Sequence, residues 1–135
     1  MDIFNKVSEN GHWLIRVSLA SIFLFHGFIK FPMAEMMSEG MGMPLFMIYI
    51  LATMELLGGV FIIAGALFND LLTRIAGAIF VTTMAGAIAL VHWPQWSFVA
   101  SESHPMGGLE FQLLTLLISL LFVAGGNRAF AMASE

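Results

Sequence analysis

Residues Trp13 to Phe31 read WLIRVSLASIFLFHGFIKF, an apolar run whose ionisable positions are Arg16, His26 and Lys30. Its length is close to the ~20 residues that a helix needs to cross the hydrocarbon of a bilayer. Three further apolar stretches, at about 44–68, 71–93 and 106–124, are long enough to do the same and leave only short tails and loops between them. The fold this predicts is all-α, an integral membrane four-helix bundle forming a single domain over 1–135, with helices at about 13–31, 44–68, 71–93 and 106–124.

Composition supports this. The 135 residues are 59% hydrophobic and only 10% charged, far from the balance of a soluble domain. The opening tail, MDIFNKVSENGH, carries mixed charges. The run behind it is too long for a cleaved signal, so it reads as a retained helix. The absence of cysteine excludes disulfides, iron–sulfur ligation and thiol nucleophiles.

Turn residues set the expected boundaries. Pro32 and the glycine-rich MSEGMGMP end the first helix, and Pro44 opens the second. Asn69-Asp70 caps the third, while Pro94 and the polar stretch after it separate the third from the fourth. Gly125-Gly126-Asn127 closes the last span. Ala78, Thr82, Ala85 and Ala89 give the third helix a small-residue face suited to close packing. Four crossings put both termini on one side together with Lys6, Arg16, Arg74 and Arg128. The other side has Lys30 beside Glu35, Glu39 and Glu102. The positive-inside rule then makes both termini cytoplasmic, with Trp13 at the inner interface and Trp93 and Trp96 at the outer one.

Counting depth at about 1.5 Å per residue brings the polar groups together. His26 and Lys30 fall in the outer half of the first helix, Glu55 about 16 Å down the second, His92 at the outer end of the third and Glu110 about one turn into the fourth. His26 and Lys30, four residues apart, share a face, as do Ala52, Glu55 and Gly59. Ionised groups facing lipid are costly, so Lys30 is expected to pair with Glu55 or Glu110 inside the bundle. The competing readings place Lys30 snorkelling to headgroups, His92 at the interface and Glu110 as a first-turn carboxylate favoured by the helix dipole. Arg16, Arg74 and Arg128 read as topology determinants, although Arg16, two heptads before Lys30, is also placed to face inward. Glu55 lies too deep for any short reach to water.

Such a cluster suits a polar head group whose lipophilic tail lies among the helices. In quinone chemistry, Glu55, His26 and His92 would exchange protons while Lys30 and Glu110 contact the substrate or pair with one another. The same groups also suit a small anion. Haem b with His26 and His92 as axial ligands is a lesser alternative, and no haem-attachment motif is present. No Glu-x-x-His pair of a di-iron bundle is present. Between the first two helices, Met33, Met36, Met37, Met41 and Met43 fall within eleven residues. Thioethers can bind Cu(I), but methionine more often supplies adaptable apolar contact, here as a loop able to cover the pocket.

The chain resembles the DoxX family of small four-helix membrane proteins over nearly all of Arg16 to Arg128. The matching features are F-H-G-x-x-K at Phe25 to Lys30, G-x-P at Gly42 to Pro44, and E-x-x-G-G at Glu55 to Gly59 with a later Gly65. Arg74, His92 and G-G-x-E at Gly107 to Glu110 complete the pattern. The resemblance implies a multi-pass protein of a bacterial or archaeal cytoplasmic (inner) membrane and redox work. Some relatives are subunits of thiosulfate:quinone oxidoreductase, and others are linked to complexes that answer thiol or oxidative stress. Where many relatives continue with a serine–aliphatic–aspartate segment, this chain has Gly125-Gly126-Asn127-Arg128-Ala129-Phe130.

The expected function is therefore a redox-associated subunit with an outward-facing pocket for a quinone or similar small substrate, the oxidoreductase activity being shared with a partner. A small-solute or proton-coupled carrier and a non-catalytic scaffold are the alternatives. The partners expected are the lipid bilayer, other membrane or periplasmic redox subunits and, in a homo-oligomer, a second copy. Nothing points to nucleic acid.

Overall fold

The computed structural model describes residues 2–129, with side chains from residue 10 onward. Lys6 and Phe130 therefore lie outside the described side chains. The described residues form four α-helices and no strand: α1 (Asp2–Met41), α2 (Leu45–Leu67), α3 (Asp70–Ala87) and α4 (Glu110–Gly125). Four segments, Asn10–Met41, Leu45–Leu67, Asp70–His92 and Glu110–Arg128, are long and apolar enough to cross a membrane. The chain is an all-helical, multi-pass membrane protein. Its exposed large side chains, among them Leu14, Phe28, Leu57, Leu114 and Leu117, belong against acyl chains.

Several boundaries follow the turn chemistry. Pro44 occupies the N-cap of α2. The Asn69 side chain accepts a hydrogen bond from the Leu71 N–H at 2.9 Å and caps α3. Gly126 ends α4 with φ +56°, a left-handed conformation that favours glycine. Pro32, however, does not end α1. The helix runs through it to Met41, so the methionine-rich segment extends the helix instead of forming a loop. Proline inside a membrane helix removes one backbone bond, and neighbouring groups make up the loss.

At the far end of α3 the chain widens into a π-helical turn, Ile88–His92, in which the Trp93 N–H donates to the Ile88 carbonyl at 2.9 Å. The fourth helix begins at Glu110, later than expected, where the N–H groups of 108–110 donate to the carbonyls of 95–97. The small-residue face of α3 also differs from expectation. Ala78, Thr82, Ala85 and Ala89 are exposed, and α3 packs through Thr73, Ala76, Gly77, Phe80 and Thr83 instead. That face fits its neighbours closely: a Cβ on Gly77 would come within 2.9 Å of the Val123 nitrogen of α4.

Sequential helices are neighbours, α1 on α2, α2 on α3 and α3 on α4. Leu19, Phe23, Ile62, Ala76, Phe80 and Phe122 form the mid-bundle core, and the Phe23 and Phe80 rings stack with centroids 3.8 Å apart. Polar clusters lie on either side of this apolar layer.

Candidate functional site

The first cluster is at the end of the bundle that holds the start of α1 and the end of α4. Arg16 is only 1% exposed. Its guanidinium donates to the Ile62 carbonyl (2.7 Å), Thr73 Oγ1 (3.1 Å), Asn127 Oδ1 (2.9 Å) and His12 Nδ1 (3.2 Å), and lies 4.9 Å from the centre of the Phe122 ring. Arg16 thus ties all four helices together as well as carrying charge. Arg74 bonds Asp70 at 2.7 Å and the Val123 and Ala124 carbonyls at 2.8 Å, closing the end of α4.

The second cluster is about 21 Å further along α1, by the rise from residue 16 to residue 30. Lys30, 9% exposed, donates to Glu55 Oε2 at 2.6 Å and to the His26 carbonyl at 3.2 Å. Lysine turns inward here because α1 and α2 touch closely: a Cβ on Gly27 would come within 2.9 Å of the Ala52 carbonyl, and one on Gly59 within 2.7 Å of Leu24. Ala52, Glu55 and Gly59 face that contact, as their spacing predicts. The pair uses two of the three ammonium protons, and no protein partner is described for the third or for Glu55 Oε1.

Lys30 and Glu55 line a cavity of about 600 Å³, together with His26 and His92. Phe23, stacked on Phe80, contributes to its wall on the side of the mid-bundle core. The other walls are largely apolar and rich in sulfur, with Met37, Met41, Met43, Met47, Met54, Met84 and Met106 all lining the space. The proposed methionine set is divided: Met37, Met41 and Met43 line the cavity, whereas Met33 does not and Met36 is 60% exposed. Among the described residues no three histidine, cysteine or carboxylate side chains cluster at metal-binding distance.

His92, buried at the end of the π-helical turn, has Nδ1 2.8 Å from the Gly107 carbonyl and Nε2 2.9 Å from Gln112 Nε2. Both ring nitrogens are therefore engaged. Gln112 also lines the cavity, and its buried Oε1 has no protein partner. Sequence reasoning missed this residue, although a glutamine among Phe111, Leu113 and Leu114 in a membrane helix was a signal.

Glu110 is placed differently from the other four polar residues. Its carboxylate accepts from the Phe98 N–H at 3.0 Å, and the residue is not among those lining the cavity. The G-G-x-E segment instead anchors the long connection. Gly108 and Leu109 donate to the Ser97 and Gln95 carbonyls, and a Cβ on Gly107 would overlap the Phe98 carbonyl. Glu110 thus bonds to the same connection that carries the Gly107 carbonyl to His92.

The model of the DoxX family matches residues 11–93. The chain is 37% identical over 131 residues to a protein of Bacillus subtilis (strain 168) named "Putative oxidoreductase CatD", an alignment covering 95% of this chain and 88% of that one. No solved structure matches it.

Proposed function

The chain belongs to the DoxX family and is a redox-associated membrane protein, and on that premise we propose that its cavity binds a quinone or a similar amphiphilic substrate. The observation that carries this reading is the buried Lys30–Glu55 pair opening on a large, mainly apolar space beside His26, His92 and Gln112. A site of this kind fixes a ring with few polar contacts while apolar walls hold the remainder.

In this reading the third Lys30 proton donates to a ring carbonyl, a charge-assisted contact that strengthens as the oxygen gains electron density. Reduction of a quinone to its hydroquinol takes two electrons and two protons. The electrons come from a partner redox subunit, and Glu55 and His26, both lining the cavity, relay the protons. The apolar layer of Phe23, Phe80, Ile62 and Phe122 on one side of the cavity favours a one-sided pocket over a carrier's through-path. Haem is less well supported, because His92 already has partners at both nitrogens. With both termini cytoplasmic, as the Arg16, Arg74 and Arg128 end suggests, the pocket faces outward from the inner membrane.

The test is equilibrium binding of a short-chain benzoquinone to the purified protein in lipid nanodiscs, corrected for partition into empty discs. Saturable binding that weakens about tenfold or more in Lys30→Met, the loss of one charge-assisted contact, is the expected result. Binding of equal strength in Lys30→Met, with thermal unfolding showing a folded protein, contradicts the assignment.

A further inference from the structure

A glycine inside a helix costs stability relative to alanine, and in a membrane bundle a close neighbour usually accounts for it. Gly27, Gly58, Gly59, Gly65 and Gly77 each have such a neighbour, within 3.0 Å of where a Cβ would stand. Gly86 of α3 does not. It lines the cavity, and a Cβ there would meet no neighbouring atom among the described residues within 4 Å. We propose that the cavity opens sideways into the bilayer between α2 and α3, beside Gly86, and that its occupant is an amphiphile whose alkyl or isoprenoid chain leaves through this gap while its head lies at Lys30. The proposal rests on the quinone reading above and deepens it.

Deeper in the bundle α2 and α3 touch, for a Cβ on Gly58 would lie 3.2 Å from Ile79 and 2.5 Å from the Phe80 ring. Residues three, four and seven apart share a helix face, so that edge of α3 continues outward from Ile79 through Thr82 and Gly86 to Leu90. The facing edge of α2 runs from Gly58 through Met54 and Leu51 to Met47. All of these outer residues line the cavity. Two helices in contact at Gly58 and Ile79 have therefore parted by Gly86, and the cavity fills the wedge between them. Thr82 also shares the exposed face of Ala78, Ala85 and Ala89, so the wedge reaches the lipid-facing surface of α3.

Depth decides what can use such an opening. Gly86 lies about 9 Å inside the His92 end of its span, by the rise of six residues. Glu55 is three residues outward of Gly58, which places the Lys30–Glu55 pair within about one turn of Gly86 along the bundle axis. An opening at this depth meets acyl chains, not water. A water-soluble solute has no route through hydrocarbon, whereas a membrane-resident amphiphile can insert its head and leave its chain in the lipid. Any side chain at position 86 would project into that path, and glycine keeps it clear.

The experiment measures binding of two benzoquinones of the same ring, one bearing a decyl chain and one a methyl group in its place, to the protein in lipid nanodiscs, each corrected for partition into empty discs. Gly86→Phe should weaken the decyl compound about tenfold or more and leave the methyl compound within about threefold of its wild-type affinity. Ala85→Phe, on the adjoining lipid-facing side of α3, should change neither. A decyl affinity that survives Gly86→Phe, a loss shared equally by both compounds, or an equal loss in Ala85→Phe would overturn the inference while leaving the quinone reading intact. Failure of both compounds to bind the wild-type protein overturns both. If Gly86→Phe does not fold, Gly86→Leu, a smaller obstruction, decides by the same comparison.

Discussion

Lys30 and Arg16 lie on one helix, both are buried, and each solves the cost of a charge in a membrane differently. Lys30 has a carboxylate, whereas Arg16 has carbonyls, a hydroxyl, an amide and a ring nitrogen arranged around its planar fork. Removing Glu55 leaves an unpaired buried ammonium, so Glu55→Leu should lower stability by about 3–5 kcal/mol. Adding Lys30→Met should recover much of that loss, as a double-mutant cycle of chemical unfolding in detergent will show. Arg16→Lys keeps the charge but loses the fork. The expected cost is about 1–3 kcal/mol, read as a lower thermal midpoint, and an unchanged midpoint would remove Arg16 as a clamp. Depth counting in the sequence was enough to bring Lys30 to Glu55, because the rise per residue is fixed and midplane charges need partners. It did not separate Glu55 from Glu110 as that partner, since the choice depends on how the 93–109 connection folds.

The helices of this bundle were legible where their ends carry turn chemistry and obscure where tertiary contacts extend or distort them. Asn69 and Pro44 mark real boundaries, whereas Pro32 does not, because the turns after it continue along the cavity with Met37 and Met41 on its wall. The π-helical turn before His92 had no compositional mark, since one residue of extra winding leaves the apolar pattern almost unchanged. The 93–109 connection is held by Gly107, Gly108 and Glu110, and these act together. Glu110→Gln weakens the carboxylate acceptor for the Phe98 N–H, so amide exchange at Phe98 should quicken about tenfold while α2 is unaffected. Unchanged protection at Phe98 would show that the carboxylate does not hold the connection.

Across the whole molecule the polar groups divide between two ends, the arginine clamp beside the start of α1 and the end of α4, and the cavity beyond the Phe23–Phe80 layer. The absence of native cysteine makes the direction of this axis directly measurable. In intact spheroplasts, Ser103→Cys should react with a membrane-impermeant maleimide and Asn69→Cys should not, if the cavity end faces outward. The reverse pattern would turn the pocket toward the cytoplasm. The central claim, that the cavity binds a quinone-like ring, is tested most directly by photolabelling with a photoreactive short-chain quinone, followed by peptide mapping. Adducts confined to the cavity walls around Met41, Met54 and Met84, and abolished by excess unlabelled quinone, are the predicted result. Labelling spread over the lipid-facing Phe28, Leu57 and Leu114, and unaffected by competitor, would contradict it.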